Sequence, residues 1–170
     1  MKAFLANLEK YNEGILRGQW IDPAGMDDED WEEALREIDV KEGQEYFIPD
    51  YDDDPLNLGL GEYEPLAHLT EVAEYCDEYG TDIVNAVSDM VSGWQEIMDT
   101  LDDNSYVVLY ASNDEELGYE VVEQEYSGIK IPEALVNYID YEAIGRDFAI
   151  NVNGEYANIG RGTVFIFVDR

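Results

Sequence analysis

The sequence predicts a mixed α+β protein built from three small domains, 1–61, 62–103 and 104–170. Three observations predict it. Short apolar runs bounded by turn residues, the pattern of strands, occupy both ends of the chain. Residues 65–101 instead repeat their apolar side chains at the helical period. The turn-rich stretch 50–61, with Pro55, Gly59 and Gly61 among its acids, marks the first boundary.

In chain order, residues 2–8 and 15–21 read as two strands, joined by a turn at Lys10–Gly14. Asp27 or Asp28 caps a helix whose apolar stripe is Trp31, Ala34, Leu35 and Ile38. A third strand starts at Glu45 and stops at Pro49, giving a ββαβ unit. Pro65 opens a helix with Leu66, Leu69, Ala73 and Cys76 on one side and Glu71, Glu74 and Glu78 on the other. Gly80 ends it, a second helix runs from Asp82 to Gly93, and a third carries Trp94, Ile97, Met98 and Leu101. About 40 residues make a meagre core, so this middle unit is expected to lean on its neighbours. The last third offers a strand at 106–111, a helix capped by Asn113, and strands at 148–152, 155–159 and 163–168. Asn153-Gly154 and Gly160–Gly162 supply its turns. Between them, Ile131–Phe148 reads as a helix opened by Pro132, with Leu135, Ile139 and Tyr138 on its apolar face.

Charge dominates the composition. The 170 residues hold 41 acids and 9 bases, a net charge of −32. Lys and Arg make phosphate contacts, so direct nucleic-acid binding is excluded. Disorder is excluded too, because 45% of the chain is apolar and 21 residues are aromatic. The single cysteine, Cys76, and the lack of a signal-like or membrane-length apolar run predict a soluble cytoplasmic protein.

The sequence carries no complete catalytic or metal-binding motif. Asp50-x-Asp52-x-Asp54 begins like a calcium loop, but Pro55 holds the glycine position and the twelfth residue is Gly61, which favours a solvated acidic turn. His68 is the sole histidine, and on one helix it sits about 12 Å from Cys76, beyond nucleophile–base reach. Gly59-Leu-Gly61 lacks the context of a nucleotide loop. Paired carboxylates are inevitable among 41 acids and carry no glycosidase signal. No catalytic residue, cofactor or metal is expected.

The acids themselves remain. Any single stripe is explained as a solvated helix face, and Asp114, Glu115 and Glu116 as first-turn acids favoured by the helix dipole. Those local explanations fail for the whole: between Lys41 and Lys130 lie 88 residues with 24 acids and no Lys or Arg. Such a span accepts self-repulsion that folding does not require. At one charge per about 1.7 Å of duplex, −32 corresponds to about 54 Å of DNA, or about 109 Å for an extended dimer. That density is of the order needed to imitate DNA.

Ala6-Asn-Leu-Glu-Lys-Tyr-Asn-Glu-Gly14 with Gly18-x-Trp20, and Asn137-Tyr-Ile-Asp-Tyr-Glu-Ala-Ile-Gly-Arg-Asp147, closely resemble the ArdA antirestriction proteins. Length, acidity and motif order agree along essentially the whole chain. The resemblance implies a DNA mimic carried on mobile elements that occupies the DNA-binding groove of type I restriction–modification enzymes. It also implies an elongated molecule of three small domains, dimeric through the last, with specificity and modification subunits as partners. No catalytic residue transfers, because the family acts through dispersed carboxylates.

Taken with the cation-free span, the carboxylates expected to stand in for phosphates are Asp52, Asp53, Asp54, Glu62, Glu64, Glu71, Glu74, Glu78, Asp82, Asp89, Glu96, Asp99, Asp102, Asp103, Asp114, Glu115, Glu116, Glu120, Glu123 and Glu125. Tyr138, Tyr141 and the Arg146-Asp147 pair are expected to hold the C-terminal domain or its dimer contact together. The competing reading is an acidic scaffold or chaperone that binds basic proteins without imitating DNA geometry; a halophilic origin would also produce such acidity.

Overall fold

The computed structural model describes residues 1–52, 58–125, 131–160 and 162–169. It is a mixed α+β structure with two small antiparallel sheets. The chain falls into two compact units, Met1–Asn85 and Ala86–Arg170.

The first unit opens with β1 (Lys2–Asn7), α1 (Leu8–Asn12), β2 (Gly18–Ile21), α2 (Asp28–Glu37) and β3 (Tyr46–Asp52). β1 lies between β2 and β3, antiparallel to both. Strand alternation sends Ala3, Leu5 and Ile48 to one face, where they meet Trp31 and Ala34 of α2 and its C-cap residue Ile38. The capping box of α2 is Asp27 with Asp30: Asp27 accepts from the Asp30 amide, and Asp30 accepts from the Asp27 amide.

Three expectations are corrected in this unit. The turn after β1 is a short helix, because the Asn7 side chain accepts from the Lys10 amide and caps it. The second strand starts at Gly18, leaving Ile15 and Leu16 exposed in the connection. The third strand does not stop at Pro49 but runs through it to Asp52. Pro49 is tolerated because β3 pairs only with β1, and a bulge opposite Leu5 takes up one extra residue there. The Ile48 amide turns outward instead and donates to the Glu62 carbonyl at 2.7 Å.

The expected helices follow: α3 (Leu66–Tyr79), α4 (Thr81–Met90) and α5 (Trp94–Asp102), separated at Gly80 and Gly93, whose φ angles of 89° and 91° favour glycine. Leu69 of α3 is fully buried in the core of the first sheet, and the Trp31 indole donates to the Thr70 hydroxyl at 3.0 Å. The start of the expected helical segment thus shares a core with the N-terminal sheet.

In the second unit, β4 (Tyr106–Leu109), β6 (Gly162–Val168) and β5 (Glu155–Ile159) form a sheet with β6 in the middle. Its core joins Leu109 and Phe165 to Leu117 and Val121 of α6 (Asp114–Glu125) and to Ile144 and Phe148 of α8 (Tyr141–Val152). β6 is buried on both faces, with Phe165 and Ile166 fully enclosed.

Here the expectation for 131–152 changes. Pro132 opens only a single turn, α7 (Glu133–Val136), whose Leu135 is exposed rather than core-facing. The true helix start is Asp140, which accepts from the Ala143 amide and caps α8. Residues 148–152 are the end of α8, not a strand. Ile144, Phe148, Ala149 and Val152 pack inward at helical spacing while Ile150 points out, so the apolar run has period 3.6 rather than 2. Asn153-Gly154 accordingly is no hairpin turn: Asn153, at φ 52° and ψ 43°, is the left-handed cap of α8.

α6 and α8 cross in backbone contact. A methyl group at Gly118 would lie 1.9 Å from the Tyr141 carbonyl oxygen, and one at Gly145 would lie 1.9 Å from that of Asp114. The rings of Tyr119 and Tyr141 stack beside this crossing with centroids 3.8 Å apart.

Candidate acidic surface

Helix spacing arranges the acids. α2 carries Asp30, Glu33 and Glu37, α3 carries Glu71, Glu74 and Glu78, and α5 with its cap carries Glu96, Asp99 and Asp103. Each set follows i, i+3, i+7, which puts three carboxylates on one strip at axial steps of about 4.5 and 6 Å. In α2 and α5 all three are exposed, while in α3 Glu71 is half-buried and Glu74 and Glu78 are exposed. The strip of α5 lies opposite its buried Ile97 and Leu101, and it lines a groove with Asp169 and Ser105. The strip of α2 lines another with Asp22, Gln19 and Met26. Asp22, Asp30, Glu33, Glu37 and Asp169 were not among the acids singled out by the cation-free span. The α2 strip was legible once the helix was placed, whereas Asp169 gave no local signal.

Of the expected set, Asp52, Glu62, Glu74, Glu78, Asp82, Asp89, Asp102, Glu115 and Glu123 are exposed. Asp82 and Asp89 lie on α4, and Gly93 separates them from Glu96 and Asp103, so the heptad row does not follow one helix. Asp53 and Asp54 lie outside the described residues, as does the side chain of Glu125.

Several expected acids hold the fold locally. Glu64 accepts from the Gly61 amide at 2.9 Å, and its other oxygen is 3.4 Å from His68 Nδ1. Asp114, half-buried, accepts from the Tyr156 hydroxyl at 2.7 Å. Glu116 accepts from both the hydroxyl and the amide of Ser112, while its own amide donates to Asn113. The Ser112 hydroxyl bond, then the amide bond, hold the Glu116 carboxyl below its ordinary range. Glu120, half-buried, accepts from Gln124.

A carboxyl outside the expected set behaves the other way. Burial, reinforced by the charge of Asp89 and a hydrogen bond with it, pushes Glu155 above the usual carboxylate range. Cys76 is buried, and burial raises its thiol, which suits a packed rather than reactive side chain.

The four structural candidates separate. Tyr141 is buried in the α6–α8 crossing, whereas Tyr138 is 84% exposed. Arg146 and Asp147 are both exposed on α8, and their 3.7 Å contact joins sequence neighbours only. The ion pair thus ties no second element to α8, whereas Tyr141 and the apposed glycines lie where α6 and α8 meet.

Among the described residues no three His, Cys, Asp or Glu side chains gather as a metal cluster, and no helix is long and apolar enough to cross a membrane.

These features define a class: a small mixed α+β protein whose carboxylates are spread mostly over exposed helix faces. Antirestriction protein (ArdA) is the family whose pattern matches residues 3–163, nearly the whole chain, and the chain belongs to that family. Membership implies antirestriction activity, an inhibitor's role directed at restriction enzymes. No match was found among curated proteins.

Proposed function

We propose that this chain inhibits type I restriction–modification enzymes by occupying their DNA-binding groove as a polyanionic stand-in for DNA. It acts in the cytoplasm as a homodimer, through three small domains at 1–61, 62–103 and 104–170, against the specificity and modification subunits. One observation carries the reading: the recurring i, i+3, i+7 carboxylate strip. Its three charges stand about 4.5 and 6 Å apart along the axis, the same order as, though sparser than, the roughly 3.4 Å between phosphates of one DNA strand. Lys and Arg side chains that line a DNA groove would meet a similar field, and steering between opposite charges would speed the encounter.

The charge is redundant, so single Asp→Asn changes in a strip have little effect, while neutralising a whole strip weakens binding. Competition tests the reading. Labelled target duplex bound to a type I methyltransferase should be released by a stoichiometric amount of the protein, less so as salt rises. Undiminished DNA binding would sink it. Indiscriminate binding to any basic protein, with no preference for enzymes that have an extended groove, would favour the acidic scaffold instead.

A further inference from the structure

We propose that the open face of the N-terminal sheet is a second contact of the inhibitor, docking on an uncharged protein surface that flanks the groove of the restriction enzyme; this rests on the function proposed above. Residues 1–21 hold two acids and three bases, whereas the other 149 residues hold 39 acids and six bases. The polyanion therefore stops at this hairpin. Its charges are also answered locally: Lys10 donates to Glu13 at 2.7 Å, and Arg17 to Asp39 at 3.0 Å.

What the hairpin presents instead is apolar. β1 and β2 turn Phe4 and Trp20 to the face away from α2, where their rings meet edge to face at 5.4 Å. Trp20 remains 47% exposed there, and Leu16 in the connection is 64% exposed. Tyr11 covers Phe47 on the same face, yet over half of it still meets solvent.

An exposed Trp and Tyr with Arg at the rim have the composition of a protein-interface centre, not of a phosphate surrogate. With Lys10 and Arg17 paired and Lys2 cationic, this face brings no surplus negative charge to a cationic groove, so the complementary surface lies outside the groove and lacks positive charge. Burying this face adds affinity that salt does not screen, alongside carboxylate contacts that salt does screen.

The test measures displacement of labelled duplex from a type I methyltransferase by the full-length protein at several salt concentrations, with solution mass recorded for each variant. Trp20→Ala should weaken binding about tenfold and Leu16→Ser by a smaller factor, each equally at all salt concentrations, with mass unchanged. Leu16→Ser keeps the test decisive if Trp20→Ala does not fold, because Leu16 lies outside the sheet. Unchanged affinity in both variants overturns the inference. So does a lower mass, which would assign the face to a second copy of the chain, or a loss that appears as an altered salt slope. If neither wild type nor variant displaces DNA, the mimic reading falls and takes this one with it; wild-type displacement with indifferent variants removes the second contact alone.

Discussion

Asn7 makes three side-chain hydrogen bonds in the first unit. Buried to 1% exposure, it accepts from the Lys10 amide and donates to the carbonyls of Ile38 and Asp39. One amide thus caps α1 and ties the end of α2 to β1. Asn7→Ala leaves those groups short of partners and should cost about 2 kcal/mol in urea unfolding. Glu155 predicts the opposite sign. Its raised carboxyl makes the folded state pay for ionisation, so that stability is withheld above the folded pKa and recovered as pH falls to the unfolded value. Glu155→Gln should therefore stabilise the protein at neutral pH, with the gain vanishing in acid; a gain independent of pH would refute the cause given. Arg146→Ala, at an exposed pair, should shift stability by no more than about 0.5 kcal/mol. The sequence singled out Arg146 because cations are scarce, yet scarcity does not report burial.

At the scale of elements, the α6–α8 crossing is the tightest feature. Gly118 and Gly145 each face a carbonyl of the opposite helix at a distance no Cβ can occupy. Gly118→Ala or Gly145→Ala must push the helices apart and disturb the Tyr119–Tyr141 stack, costing about 3 kcal/mol by denaturant unfolding. Gly145 sits inside the run Asn137–Asp147 that carries the family resemblance, so that run has a packing reason of its own. The helices of 65–102 were legible from periodicity and glycine punctuation. The end of α8 was misread because Phe148, Ile150 and Val152 are good strand formers that also alternate, so their propensity competed with the inward spacing of Ile144, Phe148 and Val152. β3 ran past Pro49 because only its place at a sheet edge, invisible in sequence, makes that proline harmless.

For the whole molecule, self-repulsion is the governing term. With −32 net charge and cations concentrated near the N-terminus, added salt should relieve repulsion between exposed acids and raise the thermal midpoint from low to physiological ionic strength. A midpoint that fell or stayed level would show that repulsion between exposed acids does not limit stability. Local bonding does not divide the acids into two sets: Asp30 and Glu96 accept from backbone amides and Asp99 from Gln95, yet all three stay exposed on their helix strips.

The sequence by itself determined the charge, the helical middle and the family, because composition and local periodicity do not depend on what packs where. Only the tertiary structure decided which acids are engaged in caps, that Tyr141 is buried while Arg146 is exposed, and that an aromatic face opens where the polyanion stops. Burial and close approach are set by residues distant in sequence, such as Asp114 with Tyr156 and Gly145 with Asp114, and no local pattern announces them.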